Sequence, residues 1–92
     1  MIIRIQGEGQ YRVTSALLDD LNEIDNRLVI LAAEGDESGF RRVLNELLDR
    51  VRDQGAALPV EELHPSDVIL PPPDLEFAEA KTIFVAEGLI PD

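Results

Sequence analysis

Two apolar stripes at helical spacing, with a stop glycine and a capping aspartate in the short stretch between them, leave this chain few ways to fold. Leu17, Leu21, Ile24, Leu28 and Leu31 recur at steps of four, three, four and three, and Leu18 and Val29 widen that face. Thr14 or Ser15 suits the N-cap of this helix, and Asp19 and Asp20 are placed in its first turns, where the helix dipole favours negative charge. Gly35 is a natural C′ residue, and Asp36 can cap a second helix. Phe40, Val43, Leu44, Leu47, Leu48 and Val51 form the second stripe, running to about Gln54, with Gly55 as its stop and Arg50 and Arg52 in its last turn. So short a link between amphipathic helices predicts an antiparallel αα-hairpin over residues 15–54.

Residues 2–13 read as a β-hairpin. Ile2, Ile3 and Ile5 supply β-branched residues, Gly7-Glu8-Gly9 punctuates, and Tyr11, Arg12 and Val13 resume the strand. A three-residue loop closing on Gly9 in the left-handed region pairs Ile5 with Tyr11, Arg4 with Arg12 and Ile3 with Val13. Alternation then puts Ile3, Ile5, Tyr11 and Val13 on the buried face and sets the two arginines opposite each other on the other.

After Gly55 the composition changes. Residues 1–53 hold eleven acids and seven bases, whereas residues 54–92 hold eight acids and a single base, Lys81. Pro59, Pro65, Pro71, Pro72 and Pro73 divide this half into short pieces. Val68-Ile69-Leu70 reads as a short strand or extended packed segment, available to the hairpin as a third strand, and the three prolines after it enforce an extended path. Asp74 can cap a last helix over about 75–86, with Phe77, Ala80, Ile83 and Phe84 on one side. Gly88 ends it, and Leu89-Ile90 pack back before Pro91-Asp92.

The formal net charge of −11 on ninety-two residues repels phosphate, which argues against nucleic acid or anionic lipid as a direct partner. An apolar fraction of 45% is too high for a disordered acidic tail. Cysteine is absent, so disulfides, thiolate metal sites and cysteine nucleophiles are excluded. Arg4 and Gln6 interrupt what would be the apolar core of a secretory signal, and no apolar run approaches the roughly 18–20 residues of a membrane span. A cytoplasmic location is the expectation.

Candidate chemistry is thin. His64, between Leu63 and Pro65, is the only histidine, and it has no second histidine at metal-ligand spacing. Glu61, Glu62 and Asp67 are near it in sequence without any motif that makes them converge. Gly7-Glu8-Gly9 lacks the third glycine and the lysine of a phosphate loop, and no calcium-binding loop is present. The chain reads as non-enzymatic, with no cofactor and no metal.

Two features point to partners instead. Arg4 across from Arg12 would be a cationic patch on an acidic chain, suited to an acidic partner unless an acid such as Asp67 or Glu87 lies between them. Residues 28–33, Leu-Val-Ile-Leu-Ala-Ala, are apolar all the way round, more than one small sheet can cover. A partner's coiled coil or a second copy of the chain would cover the remainder.

Met1-Ile2-Ile3-Arg4-Ile5 followed by Gly7-Glu8-Gly9-Gln10-Tyr11-Arg12-Val13 resembles the start of the PspA-associated domain family, PspAA. Residues 18–26, residues 65–72 (Pro-Ser-Asp-Val-Ile-Leu-Pro-Pro) and residues 87–91 (Glu-Gly-Leu-Ile-Pro) are similar to the same family, so the resemblance spans essentially the whole chain. It implies association with phage-shock protein A, a coiled-coil membrane-remodelling protein of the envelope-stress response, and a non-catalytic accessory role. It also makes the shared positions Glu8, Gly9, Gln10, Tyr11, Arg12, Asp67, Pro71 and Pro72 candidates for an interaction surface or for structural roles.

The expectation is one α+β domain over 1–92: a β-hairpin (2–13) on an αα-hairpin (15–54), then a proline-rich acidic segment (55–92) with a short strand and a C-terminal helix. Its expected function is that of an adaptor or regulator of phage-shock protein A, peripheral to the inner face of the membrane through that partner. The alternative is a homodimeric structural domain whose second copy covers residues 28–33. Candidate partner-binding residues are Arg4, Tyr11, Arg12, Leu28, Val29, Ile30 and Asp67.

Overall fold

The αα-hairpin forms where the two stripes place it, in a computed structural model that describes residues 1–62, 64–85 and 88–90. Helix α1 (Ser15–Glu34) starts at Thr14, whose Oγ1 accepts the Leu17 N–H at 3.2 Å, and ends at Gly35 with φ of 74°. Helix α2 (Glu37–Gln54) is capped by Asp36, whose Oδ1 accepts the Gly39 N–H at 2.9 Å. Both stripes are buried: Leu17, Leu21, Ile24 and Leu28 share one core with Phe40, Val43, Leu44, Leu47, Leu48 and Val51. Each fully buried leucine of this set contributes roughly 1.5–3 kcal/mol. The dipole expectation for Asp19 and Asp20 fails, because the first turn of α1 carries no acid. Asp20 instead approaches Arg50 across the interhelical seam at 3.7 Å, and Arg52 is the base of the last turn of α2.

Strands β1 (Ile2–Ile5) and β2 (Gly9–Arg12) form the antiparallel hairpin, but with a register two residues away from the expected one. Ile3 pairs with Tyr11, Arg4 with Gln10, and Ile2 with Arg12. The loop is Gln6-Gly7-Glu8. Gly7, not Gly9, takes the left-handed conformation (φ 83°), and the Glu8 N–H closes the turn on the Ile5 carbonyl at 3.0 Å. A shift of two leaves every side chain on its expected face, so Ile3, Ile5 and Val13 are buried and Tyr11 packs against the core from the same side. The direct Arg4–Arg12 opposition is therefore absent. The two arginines are diagonal neighbours on the outer face.

The sheet has four strands in the order β3-β2-β1-β4. Strand β4 (Val68–Leu70) joins β1 in parallel, with Ile3 beside Val68 and Ile5 beside Leu70, which realises the expected pairing of this segment with the hairpin. Val68 and Leu70 face the core and Ile69 faces out. Strand β3 (Ala56–Ala57), which has no β-branched residue to announce it, pairs with β2 because the chain leaves α2 directly against Tyr11. Gly55 makes that approach feasible: a Cβ there would lie 2.5 Å from the Val51 carbonyl oxygen and 3.2 Å from Tyr11 Cβ.

The last helix, α3 (Phe77–Ile83), is shorter than the 75–86 expected and is not capped by Asp74. Leu75 is buried ahead of it, its N–H turned back onto the Pro72 carbonyl at 3.2 Å, so the first helical residue comes two positions later. Residue 86, like Leu63, Glu87, Pro91 and Asp92, lies outside the described residues. Phe77 and Phe84 meet the ring of Phe40 edge to face, at 5.5 and 5.3 Å between centroids, which locks α3 onto the helical hairpin.

Candidate functional site

The outer side of the helical hairpin carries an apolar cleft of about 280 Å³ between Ile30 and Leu31 of α1 and Val43 of α2, rimmed by Arg27 and Arg42. A 100° turn per residue sorts residues 28–33 into distinct environments. Leu28 (0% exposed) and Ala32 lie in the core, Val29 and Leu31 are partly buried against it, and Ile30 is 56% exposed. Below the cleft the seam is ionic, with Arg27 paired to Glu46 and Arg50 to Asp20. Arg42 makes no ion pair among the described residues.

The outer face of the sheet is the second candidate. Arg4 is half-buried and its Nε donates to Ser66 Oγ at 3.4 Å. Gln10, buried, holds the connection that crosses this face: its Nε2 donates to the His64 carbonyl at 2.6 Å and to Ser66 Oγ at 2.9 Å, while its own backbone carbonyl accepts the Leu58 N–H. A cleft of about 200 Å³ lies here, with Arg4 and Gln10 on one side and Leu58, Pro59 and Val60 on the other. Arg12 is exposed, and Ile69, in register with Arg4, is 54% exposed.

The acids around this face are occupied. Asp67 does not lie between the two arginines: its Oδ2 accepts the Ile2 N–H at 2.8 Å, and its own N–H donates to the Ile2 carbonyl at 2.8 Å. Glu87, the other acid considered for that place, is outside the described residues. Glu8 takes a two-pronged contact from Arg52, whose Nε lies 2.8 Å from Oε1 and whose terminal nitrogen meets Oε2. That bond lowers the Glu8 carboxyl below its ordinary range against a smaller opposing desolvation, and it raises the Arg52 guanidinium. Glu62 faces His64 Nε2 at 3.9 Å. Among the described residues, no group of three His, Asp or Glu side chains could hold a metal ion.

Sequence reasoning missed Asp25. It is fully buried, and its carboxylate accepts the backbone N–H groups of Leu89 (3.2 Å) and Ile90 (2.9 Å). Gly88 enters this clasp with φ of 77°, and a Cβ there would fall 2.3 Å from Asp25 Oδ2. The signal was present: residue 25 is four after Leu21 and three before Leu28, on the stripe itself. The motifs that carry the family resemblance are thus one another's partners. Residues 65–72 grip the opening strands through Ser66 and Asp67, and residues 88–90 are gripped by Asp25 of the 18–26 motif.

The class defined by this fold is α+β, a mixed four-stranded sheet carried on an αα-hairpin. The model of the PspA-associated protein family matches residues 1–92, and the chain belongs to that family. Neither a curated protein nor a solved structure matches it. Among the described residues no helix is long and apolar enough to cross a membrane.

Proposed function

We propose that the chain is a non-catalytic interaction domain, an adaptor or regulator that binds the coiled-coil phage-shock protein A in the membrane-stress response. One helix of that partner docks in the cleft between α1 and α2. The observation that carries this reading is Ile30, a large apolar side chain 56% exposed beside Leu31 and Val43, with Arg42 at the rim. A coiled-coil helix offers a matching apolar stripe, and acids flanking that stripe would meet Arg42. Leu28, fully buried, and Val29, partly buried against the core, do not line the cleft. The domain would then sit in the cytoplasm and reach the membrane only through its partner.

Size-exclusion chromatography of the full chain with a phage-shock protein A homologue, at micromolar concentrations, tests this. Co-elution is expected, and Ile30→Asp should abolish it while leaving the thermal unfolding of the isolated chain nearly unchanged, because the side chain is exposed. Failure to co-elute or cross-link overturns the partner assignment. A stable dimer of the isolated chain, dissociated by Ile30→Asp, would replace it with self-assembly through the same cleft.

A further inference from the structure

Beyond that cleft, and sharing no residue with it, the outer sheet face holds two cations with no acid paired to them among the described residues. In a chain with nineteen acids and eight Lys and Arg residues, an arginine on a folded surface normally finds a carboxylate. Arg27, Arg41, Arg50 and Arg52 do so. Among the described residues Arg4 and Arg12, like Arg42 at the helical cleft, do not, although Glu8 and Glu62 line the same cleft as Arg4 and Asp67 bonds the neighbouring Ile2. Each of those acids faces another group: Glu8 bonds Arg52, Asp67 bonds the Ile2 amide, and Glu62 faces His64. Arg4 and Arg12 therefore present guanidinium groups without an ion-pair partner among the described residues, on a molecule whose net charge is strongly negative. Arg4 is also oriented in advance, since the Nε bond to Ser66 steers its guanidinium, and Ser66 is itself held by Gln10. Pre-set guanidinium forks are the side chains best shaped for carboxylates.

The spacing selects a partner. Arg4 pairs with Gln10, so Arg12 is its diagonal neighbour, with about 7–8 Å between such positions. Glutamates one helical turn apart have Cβ atoms about 5–6 Å apart, within reach of two long arginine side chains. Exposed Ile69, beside Arg4, offers an apolar contact for the residue flanking those acids. We infer that the Arg4–Arg12–Ile69 face is a docking surface for an acidic helical protein segment that carries two carboxylates one turn apart. The net charge of −11 sets this face against extended polyanions, whose remaining phosphates the rest of the surface would repel.

The test is an NMR titration of the full ¹⁵N-labelled chain with an acetylated, alanine-rich helical peptide. The peptide bears glutamates at i and i+4 and a leucine beside them, and its glutamine counterpart is the control. Amide shifts are expected on β1, β2 and β4. Arg12→Gln should weaken binding about tenfold, as loss of one charge-assisted contact implies. Arg4→Gln/Arg12→Gln should remove it, and Ile30→Asp should leave it unchanged, which separates this surface from the helical cleft. Arg12 is exposed and makes no ion pair among the described residues, so its variant keeps the fold, verified by an unchanged melting curve. Three results would overturn the inference: no shifts up to about 1 mM peptide, equal binding of the glutamine peptide, or shifts confined to the Ile30 cleft. Equal, arginine-dependent binding of phosphatidylglycerol vesicles would also overturn it, in favour of a lipid surface.

Discussion

The two halves of this chain are held together by different means. Residues 15–54 are secured by burial, with two apolar stripes closing on each other and ion pairs only along the outer seam. The segment after Gly55 adds Val68, Leu70, Leu75, Ala80, Phe84 and Ile90 to that core and is fastened in addition by specific polar bonds to the first half. Asp67 and Ser66 reach the opening strands, and Asp25 clasps residues 88–90. Burial is diffuse and depends on summed area, whereas a clasp depends on one carboxylate. Loss of a buried apolar side chain should therefore act on the whole molecule, and loss of a clasp should act locally.

The largest effect is expected in the helical hairpin. Leu44→Ala, at a fully buried position, should cost about 3–5 kcal/mol and lower protection against hydrogen exchange throughout the molecule. A loss confined to α2 would break the contrast. Asp25→Ala should cost about 2–3 kcal/mol, since two backbone N–H groups lose their acceptor. Its signature is selective exchange of the Leu89 and Ile90 amides with the α1–α2 core still protected. Global loss of protection in that variant would show that the clasp belongs to the core.

The smallest effect belongs to Glu8 and Arg52. The folded-state pKa of Glu8 is lowered, so the bond contributes fully above the ordinary glutamate pKa and is lost as pH falls through the lowered value. Both side chains are about a third exposed, so solvent screening holds the contribution below about 1 kcal/mol. Glu8→Gln should reduce stability at pH 7 by that amount, and the loss should shrink progressively as the pH is taken below the ordinary glutamate range. Equal destabilisation at neutral and acid pH would mean that Glu8 acts through packing or turn geometry instead.

Much of the first half was legible because its signals are local. A helical period, an N-cap threonine or aspartate and a C′ glycine all act within one or two turns, and Thr14, Gly35 and Asp36 take the expected roles. The face of the β-hairpin was legible for the same reason, and its register was not. Alternation has a period of two, so a slip of two residues leaves the pattern intact, and only the conformation of Gly7 against that of Gly9 distinguishes the two pairings. Of the candidate surface residues, Ile30, Arg4 and Arg12 emerge on exposed or half-exposed faces. Tyr11 packs against the core and Asp67 bonds the opening strand.

The amino-acid sequence by itself determined two capped amphipathic helices, a hairpin with its apolar face defined, a short Val68–Leu70 strand and an acidic surface. Tertiary structure alone decided four things: the register of the hairpin, the seating of β4 in parallel beside β1, the capture of Ala56–Ala57 as a strand, and the burial of Asp25 under residues 88–90. The first set depends on neighbours a few residues apart. The second depends on which distant backbone arrives to offer its N–H and carbonyl groups, and a local pattern carries no record of that.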